Sequence, residues 1–254
     1  MRLHKDVPAP GGKVSVYRHT TTVRVTHWLN VICVLFLVLS GINILAAHPA
    51  LYWGSQSTFG DPWLRFDLTH WPKWPPVRDL ATARNYHFFF AWVFVINGVI
   101  YLAVGFLRRH FARELTPTKA ELRSLPQVAK EHARFHFPHV RRYNPIQQLS
   151  YLAVIFVLLP LMLMTGLTMS PAFNAIAPWM LDLFGGRQSA RTIHFISAAL
   201  IVLFIFVHVA LVILAGFWNN LRSMITGRYV VDPEAPSSFA KATEDKTNPA
   251  GERS

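Results

Sequence analysis

The residues with the most chemical content are four histidines, His27, His87, His194 and His208, because each falls inside a long apolar run. An ionisable ring in hydrocarbon is costly and is usually retained for function. His194 and His208 are 14 residues apart. That interval is close to four whole turns, so on one helix the two rings share a face and stand about 21 Å apart. An imidazole can ligate a metal, relay a proton or bond a carbonyl, and the way the four are paired decides between these. The single cysteine, Cys33, excludes an intramolecular disulfide, a four-cysteine zinc or iron–sulfur site and a C-x-x-C-H haem attachment.

The elements that carry these rings follow from composition. The 254 residues are 52% hydrophobic and only 15% charged, which argues against a soluble globular chain. A bilayer core of roughly 30 Å needs about 20 apolar helical residues. Four such windows are present, at about 25–47, 85–107, 145–169 and 192–218. The sequence therefore predicts an all-α integral membrane protein, a four-transmembrane-helix bundle with interfacial helices spanning 25–230. Residues 1–24 form a cytoplasmic N-terminal segment, and the polar composition of 231–254 predicts a disordered tail. No signal-type cleavage pattern precedes the first window, so that helix is expected to remain in the mature chain. Lys and Arg divide 19 to 6 between the two sides, which by the positive-inside rule places both termini in the cytoplasm of a bacterial inner membrane. The formal charge of +12 thus reads as an orienting signal, with no nucleic-acid partner.

The connecting segments carry weaker signals. The outer loop from His48 to Arg84 holds Trp53, Trp63, Trp71 and Trp74, a composition suited to the headgroup region or to docking a partner. Ser170 to Gly186 is apolar but interrupted by Pro171, Pro178 and Gly185-Gly186, so it predicts an interfacial helix and not a fifth span. Thr116-Pro117 predicts the cap and first turn of a short amphipathic helix. His132, His136 and His139 mimic a metal cluster, but Pro138 breaks the helix and Arg134, Arg141 and Arg142 repel a cation, so a solvated basic loop is expected.

Alternating helix direction sorts the four histidines by depth. His27 and His208 fall near the inner face and His87 and His194 near the outer face, each pair drawn from two helices. Two stacked bis-imidazole sites suit two haem groups, and iron with both axial positions filled favours electron transfer over substrate binding. Arg24, Arg84 and Arg191 each precede a ligand histidine by three residues, where a guanidinium could meet a haem propionate or simply snorkel to the interface. Gly41 lies 14 residues after His27, at the depth of the outer pair, where a missing side chain gives a porphyrin room. Gly98 and Gly166 serve either that clearance or helix packing. Asn144, Gln147 and Gln148 cluster at the inner start of the third helix and could bond a quinone carbonyl or cap the helix.

The run Arg24-Val25-Thr26-His27-Trp28-Leu29-Asn30, with histidines opening helices two and four and another later in helix four, resembles the bacterial cytochrome b561 and nickel–iron hydrogenase cytochrome b superfamily. His48 to Gly54, Tyr143-Asn144-Pro145, Thr165-Gly166-Leu167 and Gly185-Gly186-Arg187 resemble its thiosulfate reductase cytochrome b branch. The resemblance covers about residues 15 to 230. It implies two haem b groups ligated at His27, His87, His194 and His208. It also implies electron exchange between the quinone pool and a periplasm-facing molybdopterin oxidoreductase or hydrogenase subunit, so the chain would be a subunit of an oxidoreductase complex and not a stand-alone enzyme. Some relatives have a fifth span, and only four are found here. Two other classes compete: a transporter relaying protons through buried histidines, and a non-redox membrane anchor. The spans lack Asp and Glu, and the histidines form two level pairs instead of a chain, which disfavours the relay.

Overall fold

Apolar runs without acidic residues become continuous helix, because a chain in lipid must satisfy its backbone polar groups internally. The computed structural model describes residues 7–58, 60–72, 79–133 and 144–231. In chain order the helices are α1 (Thr21–Ala47), α2 (Leu80–Leu107), α3 (Lys119–Arg123), α4 (Leu125–Ala133), α5 (Pro145–Ala153), α6 (Leu159–Thr168), α7 (Pro171–Ile176), α8 (Trp179–Leu183), α9 (Arg187–Leu214) and α10 (Phe217–Thr226). The strands are short: β1 (Val7–Pro8), β2 (Val14–Tyr17), β3 (Ala50–Leu51), β4 (Leu64–Arg65) and β5 (Arg228–Val231). Four helices are long and apolar enough to cross a membrane: α1, α2, the run from Pro145 to Thr168, and α9. The protein is a multi-pass, all-α membrane protein with two small sheets of short strands among the described residues.

Three of these spans, α1, α2 and α9, begin earlier than the apolar windows, since helix continues through Arg24, Arg84 and Arg191. Asp79 caps α2: its Oδ1 accepts the Thr82 N–H at 2.8 Å and its Oδ2 accepts the Thr82 hydroxyl at 2.7 Å. Those bonds, the backbone one foremost, hold the Asp79 carboxyl below its usual range. The fourth span ends at Leu214, not near Trp218, because Gly216 turns left-handed (φ 100°) and starts the separate helix α10. A π-helical turn, Val154–Leu158, joins α5 to α6 ahead of Pro160. Pro160 supplies no N–H, and its ring would meet the carbonyl four residues back, so the wider turn accommodates it.

Burial is inverted relative to a soluble protein. Leu107, Phe206 and Phe89 are 84%, 70% and 61% exposed, as lipid-facing side chains should be. The residues buried in α1 are Thr26, Cys33, Ser40 and Asn43, and in α6 Thr165 and Thr168. Small and polar residues let helices approach and bond one another where no hydrophobic force separates protein from lipid tails. Asn97 of α2 does this on α1, donating to the Thr26 carbonyl at 2.8 Å and to Asn30 Oδ1 at 2.6 Å.

The chain packs as two compact units, Met1–Arg24 with Val104–Ala153 and Ile205–Ser254, and Val25–Ala103 with Val154–Phe204. In the first, β1, β2 and β5 form an antiparallel sheet with Val16 opposite Tyr229. Gly227 (φ 85°) makes the turn into β5, where a Cβ would lie 2.6 Å from the Tyr17 ring. Periodicity does not reveal strands of two to four residues, so this sheet is absent from the sequence reading. Phe111, Leu115 and Val128 are buried in this unit. The cap of α3 is Thr118, which exchanges bonds with Glu121, and not Thr116, because Pro117 stands before the helix instead of in its first turn.

In the second unit β3 and β4 pair antiparallel, and the loop between α1 and α2 is stitched to the start of α9. The Gly54 carbonyl accepts the free N–H groups of Gln188 and Ser189, and the Thr192 hydroxyl donates to the Tyr52 carbonyl at 2.6 Å. The expected interfacial helix is two short ones, α7 and α8, separated at Pro178. Lys73, Trp74 and Arg78, His136 and His139, and all of the expected tail except Val231 lie outside the described residues.

Candidate functional site

Helix α2 carries His87 and α9 carries His194, and the second unit brings their rings together, with centroids 6.3 Å apart and planes inclined by 60°. His87 Nδ1 stands 3.0 Å from the Ser40 hydroxyl of α1. His194 Nδ1 stands 3.1 Å from the Thr165 hydroxyl of α6 and 3.1 Å from the Met162 carbonyl. A carbonyl oxygen only accepts, so His194 Nδ1 carries its proton and donates, and the Ser40 hydroxyl, whose own proton is directed at the Phe36 and Leu37 carbonyls, gives His87 Nδ1 the same role. Each neutral ring then has its lone pair on Nε2, the atom left to bind a metal.

This geometry fits an iron held between the two rings. Two imidazoles on opposite sides of one metal atom, each bonded at about 2 Å, have centroids roughly 6 Å apart. The observed separation meets that requirement. Among the described residues no three His, Cys, Asp or Glu side chains gather to hold a bare ion. A two-histidine site is complete only when the metal brings its other ligands with it, as a haem does.

The glycines acquire a different neighbour from the one the sequence suggests. A Cβ on Gly41 would meet His87 Cε1 at 3.6 Å, and one on Gly166 would meet His194 Cε1 at 3.3 Å, so the space is used by the imidazoles themselves. A Cβ on Gly98 would meet nothing within 4 Å.

The remaining candidates fall as follows. His27, in the second unit, has its ring edge-on to Trp28 at 5.4 Å, and His208, in the first, faces Tyr151 at 6.4 Å. Arg24 donates to the Ile225 carbonyl and the Thr21 hydroxyl. Arg191 donates to Gln188 Oε1 and to the His48 and Ala50 carbonyls, so it fastens the outer loop. Arg84 is exposed. Asn144 Oδ1 accepts the Gln147 N–H at 2.9 Å while Gln147 Oε1 faces the Asn144 N–H at 3.4 Å, a reciprocal cap on α5. Gln148 is fully buried. Ser40 and Met162 were not singled out by sequence, and Thr165 only as part of the Thr165-Gly166-Leu167 motif and not as a histidine partner, although a hydroxyl residue before glycine in two apolar runs was a visible signal.

Four apolar spans with paired, proton-anchored imidazoles define the class of membrane b-type cytochromes, whose cofactor is haem b. A family model described as prokaryotic cytochrome b561 matches residues 18–227, and the chain belongs to that family. It is 30% identical over 216 residues to a chain of Azospira oryzae bearing the provisional name protein-methionine-sulfoxide reductase subunit YedZ1, covering 82% of this chain and 96% of that one. Two further relatives bear the provisional name Ni/Fe-hydrogenase B-type cytochrome subunit. The one from Bradyrhizobium diazoefficiens is 23% identical, covering 85% of this chain and 86% of its own. The one from Cupriavidus necator is 25% identical, covering 84% and 86%.

Proposed function

We propose that this chain is the dihaem membrane subunit of an oxidoreductase complex, passing electrons between the quinone pool and a redox partner on the periplasmic side. The observation that carries the reading is the His87–His194 pair, with both Nδ1 protons committed and both Nε2 atoms available. The second haem of this reading is assigned to His27 and His208 from their depth along the apolar windows of the sequence. Haem iron between two imidazoles supplies one-electron transfer with no open coordination position. The chain's own residues do the rest: the four histidines orient and hold, and the lipid-facing spans exclude water. Arg24 and Arg84 stand one turn from His27 and His87, within the reach expected for propionate contact, and Arg191 combines such a role with its hold on the outer loop. The quinone is met at the inner start of the third span, near Asn144, Gln147 and Gln148.

Relatives named as reductase and hydrogenase subunits support an oxidoreductase partner, and the partner of this reading is a molybdopterin oxidoreductase or hydrogenase subunit. The haem content of the purified protein tests the reading. Two haem b per chain by pyridine haemochrome, with reduced-minus-oxidised b-type bands, are expected, and a colourless preparation would leave a membrane anchor or proton relay in its place.

The orientation is tested separately. Because Lys and Arg divide 19 to 6, a reporter active only outside the cytoplasm should be silent when fused at residue 125 and active near residue 70. The opposite pattern would put the His87–His194 pair on the cytoplasmic side, away from a periplasmic partner.

A further inference from the structure

The surroundings of His87 and His194 are built twice from the same parts. On α1 the Ser40 hydroxyl lies 2.5 Å from the Phe36 carbonyl and 3.2 Å from the Leu37 carbonyl, four and three residues back. On α6 the Thr165 hydroxyl lies 2.7 Å from the Leu161 carbonyl and 3.2 Å from the Met162 carbonyl, at the same offsets. In each case the histidine Nδ1 meets that hydroxyl, at 3.0 Å for His87 and 3.1 Å for His194, and His194 Nδ1 also meets the Met162 carbonyl at 3.1 Å. In each case the residue after the hydroxyl is a glycine, and its absent side chain faces the Cε1 of that same ring. Phe36 to Gly41 and Leu161 to Gly166 therefore present one arrangement to two rings from two different helices.

Proton counting gives the arrangement a direction. A hydroxyl has one proton, and each is directed at its own helix's carbonyls, so toward the imidazole it can only accept. That agrees with the Met162 carbonyl beside His194 Nδ1, which can only accept. Donation from Nδ1 fixes the tautomer, orients the ring and strengthens Nε2 as a donor to iron. A stronger donor favours the ferric state. The glycine lets the ring sit close enough to the helix for the bond to form.

We propose that Ser40-Gly41 and Thr165-Gly166 are a duplicated histidine cradle whose hydroxyls are positioning residues that set the potential of the outer haem. The proposal rests on the reading of His87 and His194 as ligands of one haem. The failure of that reading would be seen in the unmutated protein, as missing haem, whereas the cradle is tested in variants of a protein that binds it.

The experiment is a redox titration, with EPR of the oxidised state, of the full-length protein carrying Ser40→Ala, Thr165→Val, Ser40→Thr or Thr165→Ser. Removing either hydroxyl should weaken ferric relative to ferrous binding about tenfold, an upward shift of about 59 mV for a one-electron couple. The same haem should move in both cases, and the conservative variants should keep the original potential. Gly166→Ala, whose Cβ would press on His194 Cε1, should change the EPR g-anisotropy that reports the angle between the two ring planes. Potentials unchanged in both hydroxyl deletions, or shifts in different haems, would overturn the proposal. Haem loss from Ser40→Ala together with Ser40→Thr would mark the position as packing alone and would also overturn it.

Discussion

Substituting alanine for His194 is expected to halve the haem content, leaving one b-type spectrum intact and removing the other. Thr165 and Met162 face the His194 ring from α6 with oxygen atoms that poorly suit iron, and His87 is itself the other ligand proposed for the same metal. His208→Ala should produce the complementary loss, because His194 and His208 occupy the same unbroken helix α9 at well-separated positions. The two single-haem proteins should differ in function. With the His27–His208 haem gone, the remaining centre can still exchange electrons with a periplasmic partner but not with quinone. With the His87–His194 haem gone, quinol should reduce the centre that remains, while the partner is left unserved. Haemochrome content, low-temperature spectra and separate titrations of each variant check this. If His194→Ala and His208→Ala altered the same haem, the depth pairing would be refuted.

The second large effect is on stability. Gly186→Ala should destabilise the protein by about 3 kcal/mol, combining a backbone conformation that side chains resist with overpacking against main chain. Gly186 has φ 109°, and a Cβ there would lie 2.6 Å from Ser55 Oγ and 2.7 Å from the Gly54 carbonyl group. Main chain cannot rotate aside as a side chain can. Gly54 is held in place, since its carbonyl accepts the first N–H groups of α9 and its own N–H donates to Ser189 Oγ at 2.7 Å. The expected readout is a lowered thermal midpoint in detergent, followed by tryptophan fluorescence, with the outer loop more readily cleaved by protease. Adding Ser55→Ala should recover only a part of the loss, because the Gly54 contact persists. Unchanged stability in Gly186→Ala would mean that the loop and α9 do not approach so closely.

Much of this protein was legible in its residues because lipid imposes simple rules. A span needs about 20 apolar residues and no unpaired charge, so the four helices follow from composition alone. The family is carried by local strings that do not depend on packing, notably Arg24 to Asn30 around His27, and the matched stretch 18–227 agrees with it. Segment ends were less accessible, because charge-free windows stop at Arg24, Arg84 and Arg191 whereas helix tolerates arginine at the interface. The break at Gly216 depends on one left-handed residue inside an apolar run, which hydropathy does not register.

The sequence by itself determined the class of protein, the number of spans and the four ring nitrogens worth examining, since residue type and spacing along a helix carry that information. Only the tertiary structure decided what those rings touch. That the Ser40 and Thr165 hydroxyls accept from His87 and His194, that Gly41 and Gly166 make room for imidazole, and that Arg191 is engaged with the His48 and Ala50 carbonyls all depend on groups far apart in the chain. The physical reason is the range of the forces: partition into lipid acts on each segment separately, whereas a hydrogen bond near 3 Å exists only once two helices have been brought side by side.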